Sequence, residues 1–112
     1  MTHFTESDKA VSLYSKIPKE YNCAQAVAKA FERDDLVARL KSCGGGRAEG
    51  GLCGALHATL LMFPENRREE VEKQFRDRAG DILCKTIRQE GKTPCAECVR
   101  IAADIVCKDE KQ

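Results

Sequence analysis

The chain has no tryptophan, four phenylalanines and two tyrosines, so aromatic residues fill only 5% of its 112 positions. Proteins that hold single-stranded nucleic acid stack bases on such side chains, and few platforms are present here. An excess of positive charge is also missing. Nineteen Lys and Arg stand against eighteen Asp and Glu, for a net charge of +1. The basic residues are spread among acidic ones, which argues against a nucleic-acid partner. The longest apolar run, Leu52 to Phe63, falls short of the roughly 20 residues a spanning helix needs, and it carries His57. No membrane insertion is expected. Residues Met1 to Asp8 are polar and acidic where a secretory signal is basic and then apolar. Strict alternation and β-branched enrichment are absent throughout, so strands are not expected. No repeat, low-complexity tract or linker interrupts the chain, and residues 1–112 read as a single cytoplasmic domain.

What the chain does have is seven cysteines. A domain of this length buries roughly two-thirds of its unfolded surface and folds without staples. In a reducing compartment, cysteines at this density point to metal ligands or redox thiols rather than to a disulfide framework. Their odd number leaves one thiol available for an intermolecular bond, and so for a homo-oligomer.

The segment Ser42 to Ala58 organises the rest. Five glycines lie between Gly44 and Gly51, flanked by Cys43 and Cys53. A backbone without Cβ atoms bends freely and approaches other groups closely. From Leu52 the sequence turns apolar at helical spacing, so the loop delivers Cys53 to the first turn of a helix. The positive end of that helix favours a thiolate, and a lowered Cys53 pKa is expected.

Other segments repeat this placement. Ala10, Val11, Leu13, Tyr14 and Ile17 suit a short helix from Ser7 or Asp8, ended by Pro18. Asn22 is a favoured N-cap with Gln25 as its capping-box partner, which puts Cys23 at the first helical position. Cys23 then shares a face with Ala26, Val27, Ala30 and Phe31. Leu36, Val37 and Leu40 form the buried side of a short piece before Cys43. Val71 and Phe75 anchor the charged stretch after Arg67. With Gly80 ending that helix and Asp81 capping the next, Cys84 falls in a first turn. Gly91-Lys92-Thr93-Pro94 reads as turn, N-cap and proline at the first position, followed by Cys95 and Cys98. The expected fold is all-α, a compact bundle of five or six short helices with a glycine-rich loop. Cys23, Cys53, Cys95 and Cys84 all fall at helix starts, on or beside apolar faces, where they can converge. Such a site suits thiolates, a thiolate-bound metal or an iron–sulfur cluster.

Asn22-Cys23-Ala24-Gln25, Gly44-Gly45-Gly46, Cys53-Gly54-Ala55, Cys84, and Cys95 followed by Val99 and Ala102-Ala103-Asp104 together resemble the redox-active cysteine proteins named for the pattern C-GCAxxG-C-C. The resemblance covers about residues 21–106. It implies a small helical protein whose characteristic residues are Cys23, Cys53, Cys84 and Cys95, with a redox or cofactor-binding role. The chain departs from the pattern at Ala58, where the motif ends in glycine, and in a short segment between Cys84 and Cys95. Cys43, Cys98 and Cys107 look like additions.

Cys95-Ala96-Glu97-Cys98 is the spacing of thiol oxidoreductases and equally of a zinc or cluster knuckle. No βαβ pattern surrounds it, so a thioredoxin-like fold is not expected. His57 lies four residues after Cys53 on the same helical side, where the two can share a metal. The glycine loop fails the P-loop template, because Gly51 and Leu52 follow Gly50 where Lys and Ser or Thr are needed. The dinucleotide fingerprint fails at Glu49. Three readings follow. In the first, two of Cys23, Cys53, Cys84, Cys95 and Cys98 cycle between dithiol and disulfide with a thiol or electron-transfer partner. The second has Cys23, Cys53, Cys84 and Cys95, with His57 as a lesser candidate, bind zinc or an iron–sulfur cluster. The third is an interaction domain whose cysteines fill the core. An enzyme acting on a defined organic substrate is not supported.

Overall fold

Helices form where apolar residues recur at intervals of three and four behind a group that can satisfy the first free N–H donors. The computed structural model describes residues 5–16, 20–42, 49–91 and 93–110. In chain order the helices are α1 (Glu6–Tyr14), α2 (Cys23–Ala30), α3 (Asp34–Arg39), α4 (Gly54–Leu61), α5 (Arg68–Ala79), α6 (Cys84–Glu90) and α7 (Cys95–Glu110). The fold is the expected all-α bundle, without strands among the described residues. Among the described residues it has seven α-helices where five or six are expected, with the short pieces α3 and α6 each completing their own turns.

Local chemistry sets the helix ends. The Thr5 side chain accepts from the Asp8 N–H at 3.1 Å and the Asp8 carboxylate accepts from the Thr5 N–H at 3.2 Å. This box starts α1 at Glu6, slightly earlier than the apolar spacing suggests, and the helix ends at Tyr14. Ile17 and Pro18, expected to close α1, lie outside the described residues, as does Cys43. At α2 the anticipated box is present: Asn22 Oδ1 accepts from the Gln25 N–H at 2.7 Å, and Gln25 Oε1 accepts from the Asn22 N–H at 3.1 Å. The same two side chains hold the end of α3. Asn22 Nδ2 donates to the carbonyls of Leu40 and Lys41, each at 3.0 Å, and Gln25 Nε2 donates to that of Val37 at 3.0 Å.

Two helix starts differ from expectation. Asp81 does not cap α6; its Oδ1 accepts from the N–H groups of Ile82 and Leu83 in a tight turn, and Leu83 is the N-cap. Thr93 does not cap α7. Its hydroxyl donates to the Ala79 carbonyl at 3.0 Å, tying the approach to α7 onto the end of α5, while the Pro94 carbonyl accepts the Cys98 N–H at 3.0 Å. The proline therefore stands just before the helix instead of at its first position. Gly80, at φ +98°, ends α5 in the left-handed region that glycine tolerates.

Helix α7 is the centre of the packing, with α1, α2, α4 and α5 against it. Phe75, Leu56, Ile101, Val27, Val71 and Val99 are fully buried between them. Helices α4 and α7 meet through small residues: Ala55, Ala58, Ala102 and Ala103 are all buried, and the Thr59 hydroxyl faces the carbonyls of Ala55 at 3.0 Å and Ala102 at 3.5 Å. Polar ties fix α1 to α7. Arg100 donates to Asp8 at 3.0 Å, and the buried Ser7 hydroxyl donates to Asp104, which also pairs with Arg78 at 3.2 Å. Among the described residues no helix is long and apolar enough to cross a membrane.

Because Asn22 both caps α2 and holds two carbonyls beyond α3, Asn22→Ala is expected to cost about 2 kcal/mol, from one lost cap and two lost bonds at part-exposed groups. Asn22→Ser keeps the cap and is expected to lose about half as much. Urea unfolding of the reduced proteins measures both.

Candidate thiol site

Four cysteines occupy four helix starts. Cys23 is the first residue of α2, Cys84 of α6 and Cys95 of α7, while Cys53 is the N-cap of α4. Cys53 therefore precedes its helix instead of lying in the first turn. A short backbone pairing sets two of these starts together: Leu52 and Leu83 form an antiparallel bridge, and the Cys53 N–H donates to the Ile82 carbonyl at 2.8 Å. The turn before it contains Gly50 and Gly51 at φ +68° and +75°, with open space where a Cβ would sit. Backbone conformation, not close packing, calls for glycine there.

Cys53 is close enough to Cys98 for that side chain to act on its thiol, and both are buried, at 5% and 3% exposure. Cys23 is close enough to Cys53 and Cys95 for their charges to act on it, and Cys84 is acted on by Cys53 and Cys95 in the same way. The Ala55 N–H at the start of α4 points to both Cys23 and Cys53. Cys23, Cys84 and Cys95 are half-buried and form the outer part of the cluster.

Cys95 has a charged and a phenolic neighbour, whereas the buried Cys98 Sγ faces the Thr93 carbonyl at 4.0 Å. Arg88 Nη2 lies 4.0 Å from Cys95 Sγ, and the Tyr14 phenol hydrogen-bonds to it. Burial, and then Cys95, push Tyr14 up to about 12. Hydrogen bonding to Cys95 and the charges of Cys84 and Cys95 hold Arg88 more firmly protonated. Neither residue stands out in the sequence as a site residue. Arg88 lies four residues after Cys84, on one face of α6, and Tyr14 is a polar-tipped residue in an otherwise apolar stripe; those spacings are the only signals that point to them.

The expected low-pKa thiolate at Cys53 is not found. Its hydrogen bond with Cys98 and its burial raise it well above the ordinary thiol value, although the N–H groups of Leu56 and Ala55 act in the opposite direction. Burial, and then the nearby thiols, likewise push Cys23 up to about 11. Loss of water around a thiolate outweighs the helix end when the site lies inside the core.

Among the described residues no group of three or more His, Cys, Asp or Glu side chains stands close enough together to hold one ion. His57 donates its backbone N–H to the Cys53 carbonyl at 2.9 Å, as the first turn of α4 requires. Cys107 is apart from the cluster, about 18 Å along α7 from Cys95 by helix rise, beside Ser7 at 3.9 Å and Glu6 at 4.0 Å. No disulfide joins the six described cysteines.

Comparison with protein-family models, curated proteins and solved structures finds no match to this chain. The resemblance to the C-GCAxxG-C-C proteins therefore rests on the residues quoted for it.

The raised Cys23 pKa predicts an alkaline weakness. Below pH 9 folded and unfolded chains both keep Cys23 protonated; from 9.0 to about 11 the unfolded chain ionises first, so stability falls as pH rises. Cys23 alone is expected to contribute a loss of roughly 2 kcal/mol over that window. Urea unfolding under reducing conditions at both ends of the window measures it, and Cys23→Ala is expected to flatten the dependence.

Proposed function

We propose that the chain is a thiol redox protein of the reducing cytoplasm, in which Cys95 and Cys98 cycle between dithiol and disulfide. The observation that carries this reading is the setting of Cys95: a half-buried sulfur at a helix start, touched by the Arg88 guanidinium and the Tyr14 phenol, with a second thiol one turn further along α7. A cysteine that only fills a core needs none of these polar neighbours. Residues three apart on a helix have Cα atoms about 5 Å apart, inside the range that a disulfide accepts.

The reaction partner is a disulfide, on a protein or on a small thiol carrier. Cys95 as thiolate attacks one partner sulfur, the partner's S–S bond breaks, and the departing thiolate takes up a proton. A mixed disulfide joins Cys95 to the partner sulfur it attacked. Cys98 then gives up its proton and attacks Cys95, and the second partner thiol leaves. Two protein thiols have become one disulfide and the partner disulfide has become two thiols. In reverse, the oxidised protein oxidises a dithiol. Arg88 offsets the negative charge that stands on the Cys95 sulfur before attack and after release, and Tyr14 orients that sulfur through its hydrogen bond.

Under this reading Cys95→Ser abolishes rapid oxidation by glutathione disulfide. Arg88→Ala is expected to slow it by about tenfold, through loss of one adjacent positive charge. Both are read by counting free thiols against time. An unchanged rate in Cys95→Ser rejects Cys95 as the attacking thiol.

A further inference from the structure

Cys98 has two thiol neighbours. Along α7 it follows Cys95 by three residues; across the α4–α7 contact it meets Cys53. Both Cys98 and Cys53 are buried, whereas Cys95 is half-buried and carries the polar contacts. We propose that Cys53 is a relay thiol: it takes Cys98 from the Cys95–Cys98 disulfide, leaving a buried Cys53–Cys98 disulfide and a free Cys95. The inference rests on the thiol redox reading above and extends it inward.

The exchange balances without any outside reagent. Cys53 loses its proton, its sulfur attacks Cys98 Sγ, the Cys53–Cys98 bond forms and the Cys95–Cys98 bond breaks. Cys95 departs as thiolate and takes up the equivalent proton. Of the two sulfurs bonded to Cys98 during this step, Cys95 is the better leaving group, because a guanidinium and a phenol receive its charge. For Cys53 the contact with Cys98 and burial disfavour the thiolate more than the Leu56 and Ala55 N–H groups favour it. Both asymmetries drive the bond inward.

Two consequences follow from the geometry. A disulfide between residues this buried is out of reach of a second partner, so the oxidising equivalent is stored and the outer thiol is ready for another encounter. The bond also clamps α4 to α7 where those helices already touch, closing a long loop in the unfolded chain, so the stored form is expected to melt at a higher temperature than the reduced form.

The test is a time course of oxidation of the full chain by limiting glutathione disulfide, quenched with acid, alkylated and mapped by mass spectrometry. Trypsin leaves Cys95 and Cys98 on residues 93–100 and Cys53 on residues 48–67, and a further cut after Glu97 separates Cys95 from Cys98. The expected course is early Cys95–Cys98 replaced by Cys53–Cys98, with a free Cys95 at equilibrium and a higher melting temperature. In Cys53→Ala the Cys95–Cys98 disulfide is expected to persist. A wild-type protein that stops at Cys95–Cys98 overturns the relay and leaves the thiol redox reading standing. Cys53–Cys98 appearing at the wild-type rate in Cys95→Ser overturns the relay's route. A chain that forms no disulfide at Cys95 or Cys98 overturns both.

Discussion

The close approach of α4 and α7 is the contact on which the remaining arrangement depends. Thr59 sets its hydroxyl against a carbonyl on each helix, Ala55 and Ala102, and the buried alanines of the two helices, Ala55, Ala58, Ala102 and Ala103, are small enough to allow close packing. A larger side chain at any of these positions would hold the helices apart and strain the packing. Their proximity brings the start of α4 to the first turns of α7, and so Cys53 to Cys98.

Polar groups hold the helix starts at the right depth. Asn22 and Gln25 join the beginning of α2 to the end of α3; the Leu52–Leu83 bridge and the Cys53 N–H bond to Ile82 join the approaches to α4 and α6; Thr93 ties the approach to α7 to the end of α5. These bonds pair backbone groups at or beside helix ends, where helix geometry leaves donors and acceptors without partners. The cysteines come together because the ends do.

At this cluster two electrostatic effects oppose each other. Helix starts favour negative charge, whereas a dry interior disfavours it. For Cys23 and Cys53 the interior wins, and their thiols stay protonated well above the ordinary range. Around Cys95, less deeply placed, the chain supplies a guanidinium and a phenol instead. A gradient from a polar outer thiol to apolar inner thiols results, and that gradient gives the proposed redox chemistry its direction.

Much of this was legible in the sequence because it is local. Apolar spacing of three and four, the Asn22–Gln25 box, Gly80 as a helix end and the run of cysteines at predicted helix starts all depend on residues within one or two turns of each other. Neighbouring residues determined the all-α class and the position of each cysteine along its helix. Tertiary structure alone decided the rest: that Thr93 and Asp81 would spend their oxygens elsewhere than on the expected caps, that Tyr14 and Arg88 would reach Cys95 from other helices, and that Cys98, an apparent addition to the motif, would meet Cys53. It also reversed the expected acidity of Cys53. Helix ends and apolar faces are written in short-range spacing, but burial and the identity of a thiol's neighbours depend on residues far along the chain, Tyr14 being 81 positions from Cys95, and no local pattern encodes how far a charge will be from water.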